Sequence, residues 1–422
     1  MPSTYTQWSK LMRIILIGAY LLALFLMLFL FPPTAHADSG FPFLGVLHAG
    51  QRPEAIAVDT QTHLVYIAYE YPAQLVAFDP LDGKVHWRTT VGGSVSDVQV
   101  DSTTHRVYAV GSPFNDKQGV LVVLNGVTGQ TLLTAKTGAG DNGIAVDTQR
   151  QRVYVTSTND GQVNVFSLTT SPTGQLSATS ATLKLGRRPQ ALGVDSHLGR
   201  LYVGDVAKNV VTVYDEDSRR TLATIAVAAT PVQPLRVDET RGRVYVVCSD
   251  GQELDVIDEH SNTIMARVPV SPYPEGVAFN TATGRIYVAD EGNKDSSNSD
   301  NSTSTTITVI DGQSFDVLGT LQVGHAPDGV EADPLLRRVY VSTEDSDAVV
   351  EISDSVDIPL KSNMNFRQIT AIRTGISLLQ QATYITVLLM VLTIVGATLG
   401  VLLPHWHARG SPQTRPTDAS SR

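Results

Sequence analysis

The sequence predicts an all-β fold, a seven-bladed β-propeller closed by an N-terminal strand, with a C-terminal transmembrane helix appended. Three observations lead there. A short motif, Asp or Asn followed seven residues later by Tyr, recurs as Asp59…Tyr66, Asp101…Tyr108, Asp147…Tyr154, Asp195…Tyr202, Asp238…Tyr245, Asn280…Tyr287 and Asp333…Tyr340. The fixed interval marks a strand ending at the Asp, a short turn, and a second strand carrying the Tyr. Successive tyrosines lie 42, 46, 48, 43, 42 and 53 residues apart, and repeats of about 40–50 residues with several short strands each are the signature of propeller blades. Finally, the seventh repeat stops near Asp354 without its last strand, while Phe43–His48 resembles the last strand of repeat six, Phe315–Gly324. Phe43–His48 is therefore expected to complete blade seven and close the ring, which removes open sheet edges.

Each repeat reads as four strands, and repeat six shows them as Glu275–Phe279, Arg285–Asp290, Thr306–Ile310 and Val317–Val323. Asp82-Gly83, Asn125-Gly126 and Asp311-Gly312 supply turn chemistry between outer strands. The runs of Val, Ile, Leu and Tyr suit sheets packed on both faces by neighbouring blades. Core packing accounts for a tyrosine recurring seven times better than binding does. Two insertions interrupt the pattern: Ser171–Ala178 lengthens the outer part of repeat three, and the polar stretch Asn293–Thr305 explains the 53-residue spacing and holds the sequon Asn301-Ser302-Thr303. His63 and His105 share a column in the turn between strands and are expected as exposed spacers.

Outside the repeats the chain reads as a membrane protein. Residues 1–37 form a signal peptide or signal anchor: Lys10 and Arg13, an apolar run Ile14–Phe31, then Ala35-His36-Ala37. The propeller spans 38–357, a juxtamembrane connector 358–383, and an uncharged segment Tyr384–Leu403 matches the ~20 residues a membrane helix needs. Residues 404–422 carry Arg409, Arg415 and Arg422 against Asp418, which assigns the tail to the cytoplasm and the propeller to the outside of the cell membrane, a single-pass arrangement. Gly396-Ala-Thr-Leu-Gly400 is a pattern able to pair helices into a dimer, although small residues are ordinary in membrane helices. With 41 acidic and 31 basic residues the net charge is −10, which argues against nucleic acid as a partner. The lone Cys248 makes no internal disulfide and reads as a small buried side chain.

The repeats resemble the YVTN family of β-propeller repeats, also seen in YncE-like proteins. Ser271-Pro-Tyr-Pro-Glu-Gly-Val-Ala278, Gly284-Arg-Ile-Tyr-Val-Ala289 and Thr308-Val-Ile-Asp311 carry the resemblance, with Gly324-His-Ala-Pro-Asp-Gly-Val330 and Gly50-Gln-Arg-Pro-Glu-Ala-Ile56. It covers roughly Phe41 to Asp354, and Val95 and Asp141 depart from it where other repeats have Pro. The resemblance implies an exported or surface binding protein without an assigned reaction.

Aligning the copies on the Asp yields one candidate site. Five residues before it stand Glu54, Ser96, Asn142, Gln190, Gln233, Glu275 and Asp328, all polar and each at the start of an innermost strand, so they are expected to circle one mouth of the channel. A wet channel mouth is polar without any ligand, so the informative feature is the clustering of Glu275, Asp328 and Glu54 on adjacent blades six, seven and one. Three converging carboxylates suit Ca²⁺ or another divalent cation, or a cationic ligand. Arg52, Arg188 and His325 lie close in sequence and are candidates to neutralise them. The chain has no Gly-x-Ser-x-Gly, His-Glu-x-x-His or phosphate-binding glycine loop. The first expectation is thus a module that binds a small ligand or a surface protein at the channel face. The alternative is a metal-dependent enzyme of lactonase or lyase type using the same mouth.

Overall fold

The computed structural model describes residues 43–112, 118–140, 143–232, 234–292 and 304–354. Among them 28 strands form seven antiparallel four-stranded sheets. Each blade takes four consecutive strands: β2–β5 (Gln51–Thr90), β6–β9 (Ser94–Lys136), β10–β13 (Ile144–Leu183), β14–β17 (Pro189–Ala226), β18–β21 (Arg236–Pro269) and β22–β25 (Pro274–Gln322). The seventh is composite. β26 (Pro327–Asp333), β27 (Arg338–Thr343) and β28 (Ala348–Ser353) accept β1 (Phe43–Leu47) as the outer strand. β1 pairs antiparallel with β28, with Leu47 opposite Val349 and Val46 opposite Val350. The two ends of the repeat region therefore close the ring, as the similarity of Phe43–His48 to the end of repeat six predicts.

The repeated Asp explains its own spacing. Its carboxylate accepts backbone N–H groups two and three residues on, as from Gln61 and Thr62 to Asp59 and from Leu335 and Leu336 to Asp333. Such an Asx turn fixes the loop length, so the next strand, and the Tyr in it, cannot shift register. The tyrosines fill the layers between blades, and Tyr66, Tyr108, Tyr154, Tyr202, Tyr245, Tyr287 and Tyr340 are all fully buried. Burying each such ring contributes roughly 2–3 kcal/mol.

At several junctions a tyrosine hydroxyl or a nearby Arg ties one blade to the next. Tyr154 and Arg152 of blade three both donate to Glu216 of blade four, and Tyr202 donates to Glu259 of blade five at 2.8 Å. Arg285 and Thr283 of blade six donate to Asp354 of blade seven in the same position. His63 and His105, expected as exposed spacers, also lock blades. His63 Nδ1 lies 2.7 Å from Asp333 of blade seven, and His105 Nδ1 lies 2.7 Å from Asp59 of blade one. The turn brings each ring back over the neighbouring blade's buried Asp, an outcome that a column of surface turn residues does not announce.

The insertion in repeat three extends a hairpin: β12 (Gln162–Thr170) and β13 (Leu176–Leu183) pair out to Thr170 opposite Leu176. Cys248 is buried, and burial pushes its thiol up to about 12, as suits a packing residue. The 1–37 leader, the polar loop 293–303, the connector, the predicted transmembrane helix 384–403, and Asn142 and Gln233 of the mouth column lie outside the described residues.

Candidate functional site at the channel mouth

The innermost strands line the channel, and five of them enter it through a defect in their pairing. Register slips between Pro53 and Ile56, Val95 and Asp97, Pro189 and Ala191, Pro274 and Val277, and Pro327 and Val330. These bulges hold Glu54, Ser96, Gln190, Glu275 and Asp328. A bulge frees its extra residue from the ladder and re-aims the side chain, and Pro is tolerated there because no ladder N–H is lost. All five residues line one chamber of about 310 Å³.

Two glycines draw the acidic blades together. A Cβ on Gly276 would sit 2.2 Å from the backbone oxygen of Asp328, and one on Gly329 would sit 2.3 Å from that of Glu54. Only glycine permits that approach between the inner strands of blades six, seven and one. Ser342 fastens the same junction, accepting from the N–H of Gly329 at 2.7 Å and donating to the carbonyl of Glu54 at 2.6 Å. Thr156 repeats the device between blades three and four, accepting from Gly143 and donating to Gln190.

The chamber contains more acid than the mouth column supplies. Glu291 and Glu344 line it too, both buried, and so does Asp97. Glu70, Glu291 and Glu344 occupy one column, four residues after the repeat Tyr, in the same blades one, six and seven. The other members of that column are Ser112, Thr158, Val206 and Ser249. The alignment on the Asp contains this second column too, but nothing in the sequence says that both columns face one chamber.

Arg52 counters part of this charge at the rim. Its guanidinium lies 2.6 Å from Glu70 of blade one and 2.6 Å from Glu344 of blade seven, and its backbone N–H donates to Asp347. Glu275 accepts from Ser249 at 3.1 Å. Asp328 has no hydrogen-bond or ion-pair partner among the described residues. Its side chain lines the chamber and is partly exposed there. Burial, then the neighbouring charges of Glu344, Glu275, Glu291 and Glu54, push its pKa well above the ordinary carboxylate range. Beneath Glu291, Asp290 is buried and raised to about 7, chiefly by desolvation, although Thr308 donates to it at 2.8 Å.

A plug forms the chamber floor. Arg236 reaches across the channel from blade five to Glu331 of blade seven at 2.5 Å, Gln99 of blade two at 3.2 Å, and the carbonyl of Val277 at 3.2 Å. The equivalent positions on the other four blades are Ala57, Ala145, Gly193 and Ala278, small enough to leave room for that reach. Arg236 also lines a second chamber of about 350 Å³ on the far side, with Glu331, Gln99 and Glu239. Asp97 sits against the plug, 5% exposed, accepting from the N–H groups of Ile144 and Val98; desolvation still raises it to about 7.

Of the remaining sequence candidates, Arg188 and His325 are exposed and absent from the chamber lining, and their backbone N–H groups donate to Asp205 and Ser346. Among the described residues, the one group whose ligand atoms all lie within 4.8 Å of one another is Asp79, Asp82 and His86, in the outer part of blade one.

The β-propeller domain of Myceliophteria thermophila Cps50 (Swd1) is similar in structure, with a TM-score of 0.62 at 10% sequence identity over 74% of this chain and 99% of that one. At that identity the likeness establishes the seven-bladed propeller fold and nothing finer. No family model and no curated protein matches the chain.

Proposed function

We propose that this chain is a membrane-anchored, extracytoplasmic binding module of YVTN-like type that captures a cationic group at the acidic mouth of its propeller channel. The observation that carries the reading is the charge balance of one sector. Glu54, Glu70, Glu275, Glu291, Asp328 and Glu344 come from three adjacent blades, and the chamber-facing Asp328 has only acids as its nearest charges. Arg52 offsets part of this charge through Glu70 and Glu344, and like charges brought together in a desolvated space otherwise oppose folding. A cationic group entering the chamber relieves that repulsion. The anchor rests on the sequence: an apolar run Ile14–Phe31 and an uncharged segment Tyr384–Leu403 flank the repeats.

Thermal unfolding of the full-length protein in detergent micelles tests the reading, using calcium, a diamine and a lysine peptide at matched ionic strength. At least one of them is expected to raise the midpoint of the wild type and leave the Glu275→Gln/Asp328→Asn variant unmoved. Equal responses from both proteins would dismiss the mouth as the site. A calcium response accompanied by lactone or ester hydrolysis would transfer the mouth to the enzyme reading, with the metal on Glu54, Glu275 and Asp328.

A further inference from the structure

The outer hairpins of five blades share one defect. In blades one, two, four, five and six the register between the third and fourth strands slips at the same place. The extra residue stands seven positions after the Asp or Asn that ends the third strand. It is Leu132, Leu222, Met265 or Leu318 in four of these blades, and His86 in blade one. Four positions before it, in the turn, the same four blades carry Thr128, Ser218, Ser261 and Ser314, and blade one carries Asp82. The hairpin asks for neither change, since four blades close it without them. Both departures fall in a single hairpin, between β4 (Gln74–Asp79) and β5 (Lys84–Thr90), and both introduce a metal-ligating side chain.

A bulge releases its extra side chain from the ladder and re-aims it, here over the turn. His86 Nε2 lies 3.4 Å from Asp79 Oδ2 and 3.9 Å from Asp82 Oδ2. The other oxygen of each carboxylate is fixed by backbone: the N–H of Leu81 donates to Asp79 at 2.8 Å, and that of Lys84 to Asp82 at 2.9 Å. Two atoms bonded to one tetrahedral zinc stand about 3.4 Å apart. The His86–Asp79 pair already has that spacing, and Asp82 needs a shift of about 0.5 Å to join it. Lys84 Nζ lies 3.4 Å from the same Asp82 oxygen, but its side chain is 74% exposed and free to swing away. An imidazole nitrogen with two carboxylate oxygens selects a transition metal over calcium, which takes six to eight oxygens. We propose that Asp79, Asp82 and His86 form a binding site for a divalent transition metal of the zinc class, with water in the fourth position. The site lies on the outer part of blade one and is independent of the channel mouth.

Titration calorimetry of the untagged full-length protein in detergent micelles with zinc chloride and calcium chloride tests it, alongside the visible absorption of added cobalt(II). The wild type is expected to bind one zinc that His86→Leu does not, and to give a four-coordinate cobalt spectrum that His86→Leu lacks. Asp82→Ser should weaken that zinc at least about tenfold, because loss of a ligand costs no less than loss of a group that merely orients one. Lys84→Gln, which removes the competing ammonium, should tighten it. His86→Leu and Asp82→Ser install residues that other blades of this chain already use, so both should keep the metal-free thermal midpoint of the wild type. Glu275→Gln/Asp328→Asn should retain the zinc, which separates this site from the mouth. Equal zinc stoichiometry and cobalt spectra in the wild type and His86→Leu would overturn the proposal. Calcium binding that Asp82→Ser abolishes and His86→Leu leaves intact would overturn the metal class.

Discussion

Arg236 is the single side chain on which the channel's closure depends. It holds Glu331, whose pKa burial raises and whose Arg236 contact pulls it back. Replacing Arg236 by Met would strand that carboxylate in the channel, and removing one partner of a buried ion pair costs about 3–5 kcal/mol. Chemical denaturation should show that loss, and the Arg236→Met/Glu331→Met double variant should recover most of it. Full destabilisation of the double variant would mean that packing, not charge, is what Arg236 supplies. At this scale the sequence was partly legible. Aligned on the repeat Asp, Arg236 and Glu331 stand two positions before it, where most copies are Ala or Gly, but nothing in one column states that two of its members meet across a channel.

At the scale of the element, the bulge is the device that turns a repeat into a site. The strands were readable from turn residues and β-branched runs, and the observed limits of blade six, Pro274–Asn280 to Val317–Gln322, differ from the sequence reading by a residue at a few ends. The slip in pairing was not readable, because register belongs to two strands and the pattern of one is silent about it. The same limit hid the packing role of Gly276 and Gly329: in sequence each is a Gly after Pro-x, and only the neighbouring strand shows why a Cβ is forbidden. Gly276→Ala should therefore destabilise the protein by about 1–3 kcal/mol, the usual cost of overpacking, measured by denaturant unfolding. It should also weaken cation binding by spreading blades six and seven. An unchanged midpoint would show that the inner strands have slack and that the acids are not held by close approach.

Across the whole molecule, the ring and its closure were legible because the information is repeated: seven copies of one turn, and one missing strand with a match at the other end of the domain. The site was half legible. The Asp-aligned column reveals Glu54, Glu275 and Asp328, whereas Glu291, Glu344 and Asp97 require knowing which strand ends face the same space. What emerges is an acid sector maintained against its own repulsion, and that has a consequence for pH. Asp328 is raised by burial and by Glu344, Glu275, Glu291 and Glu54; Asp97 and Asp290 are raised to about 7 by desolvation. An acid that keeps its proton in the folded chain above the unfolded value of about 4 makes folding take up protons. Its stabilising contribution is complete below the unfolded pKa and is lost as pH rises through the folded one, so stability should fall between about pH 5 and pH 8.

The most direct test is the thermal midpoint of the full-length protein at about pH 5 and about pH 8, in the wild type and in Glu275→Gln/Asp328→Asn. Asp97 and Asp290 are present in both proteins, so the difference between them isolates the mouth. The account predicts that the wild type loses stability toward pH 8, that the double variant loses less, and that at pH 8 the variant is the more stable of the two. Equal pH dependence, or a variant less stable than the wild type at pH 8, would show that the mouth carboxylates already have their counter-charges, and would contradict a site kept open for a cation.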